Sequence, residues 1–140
     1  MTDRVSKEKR SEIMRRIRGK DTTPEITVRK LVYSLGYRYR LHDKKLPGKP
    51  DLVFSSRKKV IFVHGCFWHY HNCKMGRLPK SNLSYWLPKL KETRLRDARN
   101  QKLIISLGWK FLVIWQCQIY NAIALKNTVI AFLKDENDSF

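Results

Sequence analysis

The sequence has few acidic residues and no long apolar run, and both absences narrow what the protein can be. Only 12 Asp and Glu residues stand against 30 Lys and Arg, which gives a formal net charge of +18. No apolar stretch approaches the roughly 20 residues that cross a bilayer, and the charged N-terminus lacks the apolar segment of a signal peptide. We therefore expect a cytoplasmic protein without membrane contact, and the positive charge favours nucleic acid as the partner.

Cysteine is also scarce, with three residues in a chain of 140. Three cysteines cannot all pair with one another, and cytoplasmic thiols stay reduced, so metal binding is favoured over disulfides. The 42% apolar content is enough for a hydrophobic core, and the length predicts one domain over residues 1–140. Within it, residues 1–20 are expected to be a basic arm that contacts DNA, and residues 134–140 a short acidic tail.

The apolar pattern predicts strands that alternate with helices. A first helix is predicted from Thr23 as N-cap and Pro24 as first helical residue up to Gly36. A second helix is predicted over 83–107, in which Pro88 marks a break or a start, and a terminal helix over 122–133. Strands are predicted over 37–41, 51–54, 60–63 and 111–115. This order predicts an α/β fold with a central mixed sheet flanked by helices.

The segment from His64 to Cys73 contains three of the four histidines and two of the three cysteines. The remaining cysteine, Cys117, follows a predicted strand. Nitrogen and sulfur ligands in a set of four suit tetrahedral Zn²⁺, and the candidates are Cys66, His71, Cys73 and Cys117. Such a site would be structural, because it leaves no open position for chemistry. The alternative is that the cysteines are small core residues.

Hydrolytic chemistry is suggested by Asp51, which stands at a predicted strand start beside a second strand. The second strand offers no carboxylate, so a hard cation would also need backbone and water oxygens. His64 and His69 suit holding or deprotonating a water molecule, and Glu25 is a further candidate base or water ligand. The alternatives are that Asp51 is a turn residue and Glu25 a carboxylate favoured by its helix dipole.

Two aromatic residues, Phe67 and Trp68, lie between the candidate ligands. On a basic protein, exposed aromatic side chains stack on bases or wedge between them, and Trp86 is a further candidate for this role. Trp109 and Trp115 flank a predicted strand and are expected to be structural.

Three motifs together resemble the very-short-patch repair endonucleases. They are His-Gly-Cys-Phe-Trp-His-x-His-x-Cys at 64–73, Pro-Gly-x-Pro-Asp at 47–51 and Ile-Trp-x-Cys at 114–117. The resemblance covers essentially the whole chain, from the Ser-x-x-Met-Arg of the arm onward. It implies a restriction-endonuclease-like fold and a Mg²⁺-dependent nick in double-stranded DNA beside the thymine of a T:G mismatch, the product of 5-methylcytosine deamination. It also implies a bacterial, nucleoid-associated monomer, with mismatch-repair proteins as candidate partners.

The resemblance also implies roles for individual residues. Asp51 and the Val63 carbonyl would bind Mg²⁺, His69 would be the general base, and His64 and Glu25 would hold water on the metal. The implied zinc ligands are Cys66, His71, Cys73 and Cys117. The residues implied to enter the DNA are Phe67, Trp68 and Trp86 from the major groove and Met14 from the minor groove. At position 63 the best-known member has threonine, a change that should matter little because the carbonyl is the ligand.

Two other functions are compatible with the residues taken alone. One is a zinc-stabilised DNA-binding module without chemistry, which would have no need of Asp51, His64 and His69 beside a zinc loop. The other is an ordinary restriction endonuclease, which would cut both strands at an intact site. Composition and motif chemistry do not indicate a mismatch, so that part of the expectation rests on the resemblance.

Overall fold

A computed structural model describes residues 22–76 and 81–134. The whole predicted arm (residues 1–20), with Met14, and residues 135–140 of the predicted tail lie outside the described residues. The helices are α1 (Thr23–Ser34), α2 (Leu83–Ser106) and α3 (Ala122–Leu133). The strands are β1 (Arg40–Leu41), β2 (Leu52–Phe54), β3 (Lys59–His64) and β4 (Lys110–Trp115). Two short 3-10 helices complete the described elements, Lys74–Gly76 and Gln116–Tyr120.

The four strands form one mixed sheet in the order β1-β2-β3-β4. The first two pairings are antiparallel, and β3 pairs with β4 in parallel. The parallel pairing follows from the connection, because the chain crosses over through α2 before it returns as β4. The predicted α/β class with a mixed sheet is confirmed, and the apolar strand predicted to be central is β3.

Helices cover both faces of the sheet. Because side chains alternate along a strand, Leu52 and Phe54 point to one face and Val53 to the other. The first face packs against α1 and α3, in a cluster formed by Val28, Val32, Leu52, Phe54, Ile61, Ile114, Leu125, Val129 and Leu133. The second face packs against α2, in a cluster formed by Val53, Val60, Phe62 and Ile104.

Several predicted boundaries differ from the structure. The residue that precedes α1 with extended backbone is Thr22, not Thr23. Only Arg40 and Leu41 of the strand predicted over 37–41 are in the ladder, where they pair with Val53 and Leu52. Pro88 neither breaks nor starts α2, which begins at Leu83. The helix tolerates this proline because the carbonyl it leaves unbonded, on exposed Ser84, can be hydrated.

The strand predicted over 111–115 to be buried is only half-buried, with Ile114 as its one fully buried residue. The reason is that β4 lies at the edge of the sheet. Across the described residues, no helix combines the length and the apolar character that a membrane span requires.

The β1–β2 register provides a matched test of the core. Leu41 and Leu52 are strand partners, but Leu41 is 41% exposed and Leu52 is 0% exposed. We expect Leu52→Ala to lower the free energy of unfolding by about 2–5 kcal/mol and Leu41→Ala to change it by about 0.5 kcal/mol or less. Chemical denaturation of both variants measures the difference, and equal losses would contradict the unequal burial of the two side chains.

Candidate active site and metal clusters

The sheet brings four chemically active positions to one edge. The antiparallel pairings place the end of β1, the start of β2 and the end of β3 together, so His42, Asp51 and His64 are neighbours along that edge. The parallel pairing adds the end of β4, because His64 is the register partner of Trp115. Cys117 follows two residues later. The register of the ladder therefore assembles residues that are far apart in sequence.

One cluster at this edge contains the four candidate zinc ligands. The ligand atoms of Cys66, His71, Cys73 and Cys117 all lie within 4.8 Å of one another. Cys66 and Cys117 each stand two residues beyond the register pair that ends β3 and β4, which explains why they meet. The Cys117 amide donates to Cys66 Sγ at 3.4 Å, and His71 Nδ1 lies 3.7 Å from Cys117 Sγ. This donor set fits a thiophilic cation such as Zn²⁺.

The electrostatics of the cluster favour neutral ligands until a cation replaces their protons. Burial raises the pKa of the Cys66 thiol to about 12 and also raises the pKa of Cys117. Burial lowers the pKa of His71, whose ring stacks on Trp115 with centroids 4.0 Å apart. Only glycine fits at position 76, because a Cβ there would lie 2.0 Å from the His71 carbonyl oxygen. Gly76 therefore lets the loop pack closely on itself. Trp115, predicted to be structural, is thus part of the site.

A second cluster combines Glu25, His42 and Asp51, whose ligand atoms also lie within 4.8 Å of one another. Glu25 is 3% exposed and is paired with the Arg29 guanidinium. His42 Nε2 lies 3.0 Å from both Glu25 carboxylate oxygens and 3.9 Å from Asp51 Oδ1. The Val63 amide donates to Asp51 Oδ2 at 2.6 Å. Two carboxylates and an imidazole form a donor set that fits a divalent cation.

The protonation of Asp51 reflects two opposed influences. Burial raises the pKa of its carboxyl, while the Val63 amide and the nearby His42 and His69 oppose that rise. A divalent cation beside this carboxylate would favour the ionised form by direct attraction. The Val63 contact that the structure contains is with the amide, and the proposed use of the carbonyl is a separate prediction.

A third cluster contains His64, His69 and Asp97. Asp97 Oδ2 lies 2.6 Å from His69 Nδ1, and the two imidazoles stack with centroids 3.8 Å apart. Because the Asp97 carboxylate accepts a hydrogen bond from Nδ1–H, the neutral His69 ring has its lone pair on Nε2, the nitrogen that can take up a proton. Asp97 therefore fixes the orientation of the His69 ring and leaves Nε2 available.

His64 differs from its neighbour in the same cluster. Burial and the adjacent His69 lower the pKa of His64 to about 3 although Asp97 opposes the shift, so His64 is neutral near pH 7. Its Nδ1 atom has no hydrogen-bond partner among the described residues and lies 4.0 Å from Asp97 Oδ2. A buried imidazole nitrogen of this kind fits a group that holds a water molecule.

The second and third clusters open into one cleft of about 1100 Å³. Its walls include two of the three aromatic residues predicted to contact DNA, and basic side chains suited to a phosphate backbone. Among the lining residues are Glu25, Lys49, Asp51, Val63, His64, Phe67, Trp68, His69, Lys89, Arg96 and Asp97. The structure therefore brings the predicted hydrolytic residues and two of the predicted DNA-contacting residues together.

The predicted aromatic residues form a group of their own. Ring centroids lie 5.0 Å apart for Phe67 and Trp68, 5.3 Å for Phe67 and Trp86, and 5.9 Å for Trp68 and Trp86. All three are half-buried, because each ring covers the other two. The sequence had predicted exposed rings. The aromatic cluster of Phe67, Trp68 and Trp86 thus joins the loop after β3 to the start of α2. Tyr85 extends this group and is 55% exposed.

Two residues of these clusters were not singled out in the sequence. His42 follows β1 and lies beside Asp51 in the antiparallel pair. Only the pairing of the two strands indicates that His42 belongs to the site, and a single sequence does not reveal that pairing. Asp97 lies in a basic helix whose only other acidic residue is Glu92. An acidic residue retained among arginines was the available signal for Asp97.

Comparison with known proteins identifies the family. Residues 2–75 match the family described as DNA mismatch endonuclease Vsr. The type II nicking enzyme V.XorIIP of Xanthomonas oryzae is 52% identical over 126 residues, which are 90% of this chain and 93% of the relative. The type II nicking enzyme V.NmeAIP of Neisseria meningitidis is 40% identical over 139 residues, 99% of each chain. The DNA mismatch endonuclease Vsr of Escherichia coli is 38% identical over 119 residues, 85% of this chain and 76% of the relative. The chain therefore belongs to the Vsr family of DNA mismatch endonucleases and is a DNA-nicking enzyme.

Proposed function

We propose that this enzyme nicks one strand of double-stranded DNA beside the thymine of a T:G mismatch left by deamination of 5-methylcytosine. The observation that carries the proposal is the shared cleft, in which Asp51 and the His69–Asp97 pair face the same space as Phe67 and Trp68. A cleft with these contents can hold a distorted base pair and a phosphodiester at once. The family assignment makes a DNA-binding module without chemistry the weaker alternative.

Magnesium is the proposed catalytic cation, and Asp51 and the Val63 carbonyl would bind it. His64 and Glu25 would hold water molecules bound to the cation. When bound there, Mg²⁺ would polarise the scissile phosphate and stabilise the charge that develops on its oxygens. The Val63 amide supports this role by holding one Asp51 oxygen at 2.6 Å. Carboxylate and carbonyl oxygens are the ligands that Mg²⁺ prefers.

His69 is proposed to remove a proton from the attacking water. Asp97 holds the Nδ1 side of the ring, so the proton is taken up at Nε2 and the positive ring is then paired with a carboxylate. His64 lies parallel to this ring and remains uncharged. Neutral His64 therefore adds no repulsion when His69 gains its charge.

Zinc is proposed as a structural ion bound by Cys66, His71, Cys73 and Cys117. Its role would be to fasten the loop that follows β3 to the end of β4, since its ligands come from both. That loop also contains Phe67, Trp68 and His69. A closed four-ligand site thus supports the catalytic loop without entering the reaction.

Mismatch selection is assigned to the aromatic cluster, which we propose enters the DNA from the major groove. A T:G pair is weaker than a matched pair, so unstacking beside it costs less free energy, while stacking on each base returns about 1–3 kcal/mol. Met14, outside the described residues, is proposed to meet the DNA from the minor groove. Insertion would then be favourable at the mismatch and unfavourable elsewhere.

The general base is tested by substitution at His69. His69→Ala should lower the single-turnover nicking rate about a hundred-fold or more, with DNA affinity changed much less. Asp97→Asn should lower the rate by about ten-fold or more, because it weakens the orientation of the ring. Asp43→Asn, the loss of a carboxylate that is not among the residues lining the cleft, should leave the rate unchanged. Wild-type nicking by His69→Ala would remove this residue from the mechanism.

The two metal sites should respond separately to substitution. Cys117→Ser should reduce zinc content and thermal stability, because it cuts the link between the loop and β4. Asp51→Asn should keep its zinc and its fold but fail to nick in Mg²⁺. Elemental analysis, thermal unfolding and a nicking assay on both variants measure this separation. A purified wild-type protein without zinc would refute the structural assignment.

The aromatic cluster is tested by the ratio of affinities for T:G and C:G duplexes at fixed salt. Trp68→Ala should reduce this ratio, while weak, salt-sensitive binding through basic side chains persists. Tyr120→Ala is the control, since this aromatic residue is 72% exposed and lies outside the cluster. If Trp68→Ala lowers both affinities equally, Trp68 is a packing residue.

A further inference from the structure

His42 has no role in the reaction as proposed above, yet it lies in the second cluster, with Glu25 and Asp51. Its Nε2 atom is 3.0 Å from both oxygens of Glu25 and 3.9 Å from Asp51 Oδ1. Its side chain is 15% exposed. A mostly buried imidazole between two carboxylates, one of them the proposed metal ligand, requires a reason.

The backbone holds His42 in this place with some strain. Its amide donates to the Asp51 carbonyl at 3.2 Å, which ties the residue to the start of β2. Its φ of 50° lies in the left-handed region, which residues other than glycine adopt uncommonly. The side chain is therefore directed at the cluster by a backbone conformation that has a cost.

The distances match those between ligands of one cation. Two donor atoms at about 2.1 Å from an octahedral cation are about 3.0 Å apart at right angles and about 4.2 Å apart when opposite. The 3.9 Å separation of His42 Nε2 from Asp51 Oδ1, the proposed metal ligand, falls within this range. Glu25 also has the Arg29 guanidinium as a charged partner, so holding Glu25 does not depend on His42 alone.

We propose that His42 is a direct nitrogen ligand of the cation that Asp51 binds. The inference rests on the metal site in the proposed function and deepens it. An imidazole ligand favours Mn²⁺ over Mg²⁺, because affinity for nitrogen rises along the transition metals while Mg²⁺ prefers oxygen. The enzyme should therefore bind Mn²⁺ more tightly than Mg²⁺, and the difference should depend on His42.

The test uses Mn²⁺ as a probe in the zinc-loaded, DNA-free protein. Electron paramagnetic resonance gives the affinity for Mn²⁺, competition gives the affinity for Mg²⁺, and pulsed measurements detect nitrogen bound to Mn²⁺. We expect imidazole nitrogen coupling in the wild type and in His64→Gln, and its loss in His42→Gln. His42→Gln should also lose Mn²⁺ affinity by about ten-fold or more, and Mg²⁺ affinity by much less, because the amide retains an oxygen ligand and an N–H donor for Glu25.

The outcomes separate this inference from the proposed function. Nitrogen coupling that survives His42→Gln, or equal weakening of Mn²⁺ and Mg²⁺, would mean that His42 only positions Glu25, and would leave the Asp51 site intact. Coupling lost in His64→Gln would assign the nitrogen to His64. Mn²⁺ binding that survives Asp51→Asn would overturn the metal site itself. Zinc content and the unfolding midpoint verify that each variant folds. If His42→Gln fails to fold, His42→Asn is the second substitution to be measured.

Discussion

The hydrogen-bond register of β3 against its two neighbours is the constraint on which the rest of the structure depends. Antiparallel pairing with β2 sets Asp51 beside the end of β3, and parallel pairing with β4 sets Trp115 opposite His64. A shift of one residue would turn every side chain of a strand to the other face. Such a shift would bury Asp51 in the wrong layer and separate Cys66 from Cys117. The apolar faces that hold the register therefore also hold the site.

This arrangement separates support from chemistry while keeping them adjacent. The Cys and His cluster joins the ends of β3 and β4, and the loop between its ligands contains His69 and two of the aromatic residues. The two carboxylates of the second cluster come from α1 and from the residue before β2. The loop is thus braced at one end by the proposed zinc and completed at the other by Asp97 from α2. Loss of the proposed zinc would displace His69 and the aromatic cluster together.

The sequence could predict what is local and periodic. The terminal helix was predicted with the bounds that the structure has, Ala122–Leu133, and the four residues of the thiol cluster were identified because three of them lie in one motif. His42 and Asp97 could not be identified in this way, because strand pairing and helix packing bring them to the site. Pro88 was misjudged since local preference disfavours a proline within a helix, whereas α2 accepts it near its exposed start. The roles of the site residues remain predictions.

Mapping the cleavage product tests the central proposal most directly. Duplexes labelled on either strand, with T:G or C:G at one position, are incubated with the wild-type enzyme with and without Mg²⁺. The structure and the family lead us to expect one nick, beside the thymine of the T:G duplex, only when Mg²⁺ is added. Cleavage of both strands of the matched duplex would instead indicate a restriction endonuclease, and equal nicking without Mg²⁺ would contradict the proposed metal site.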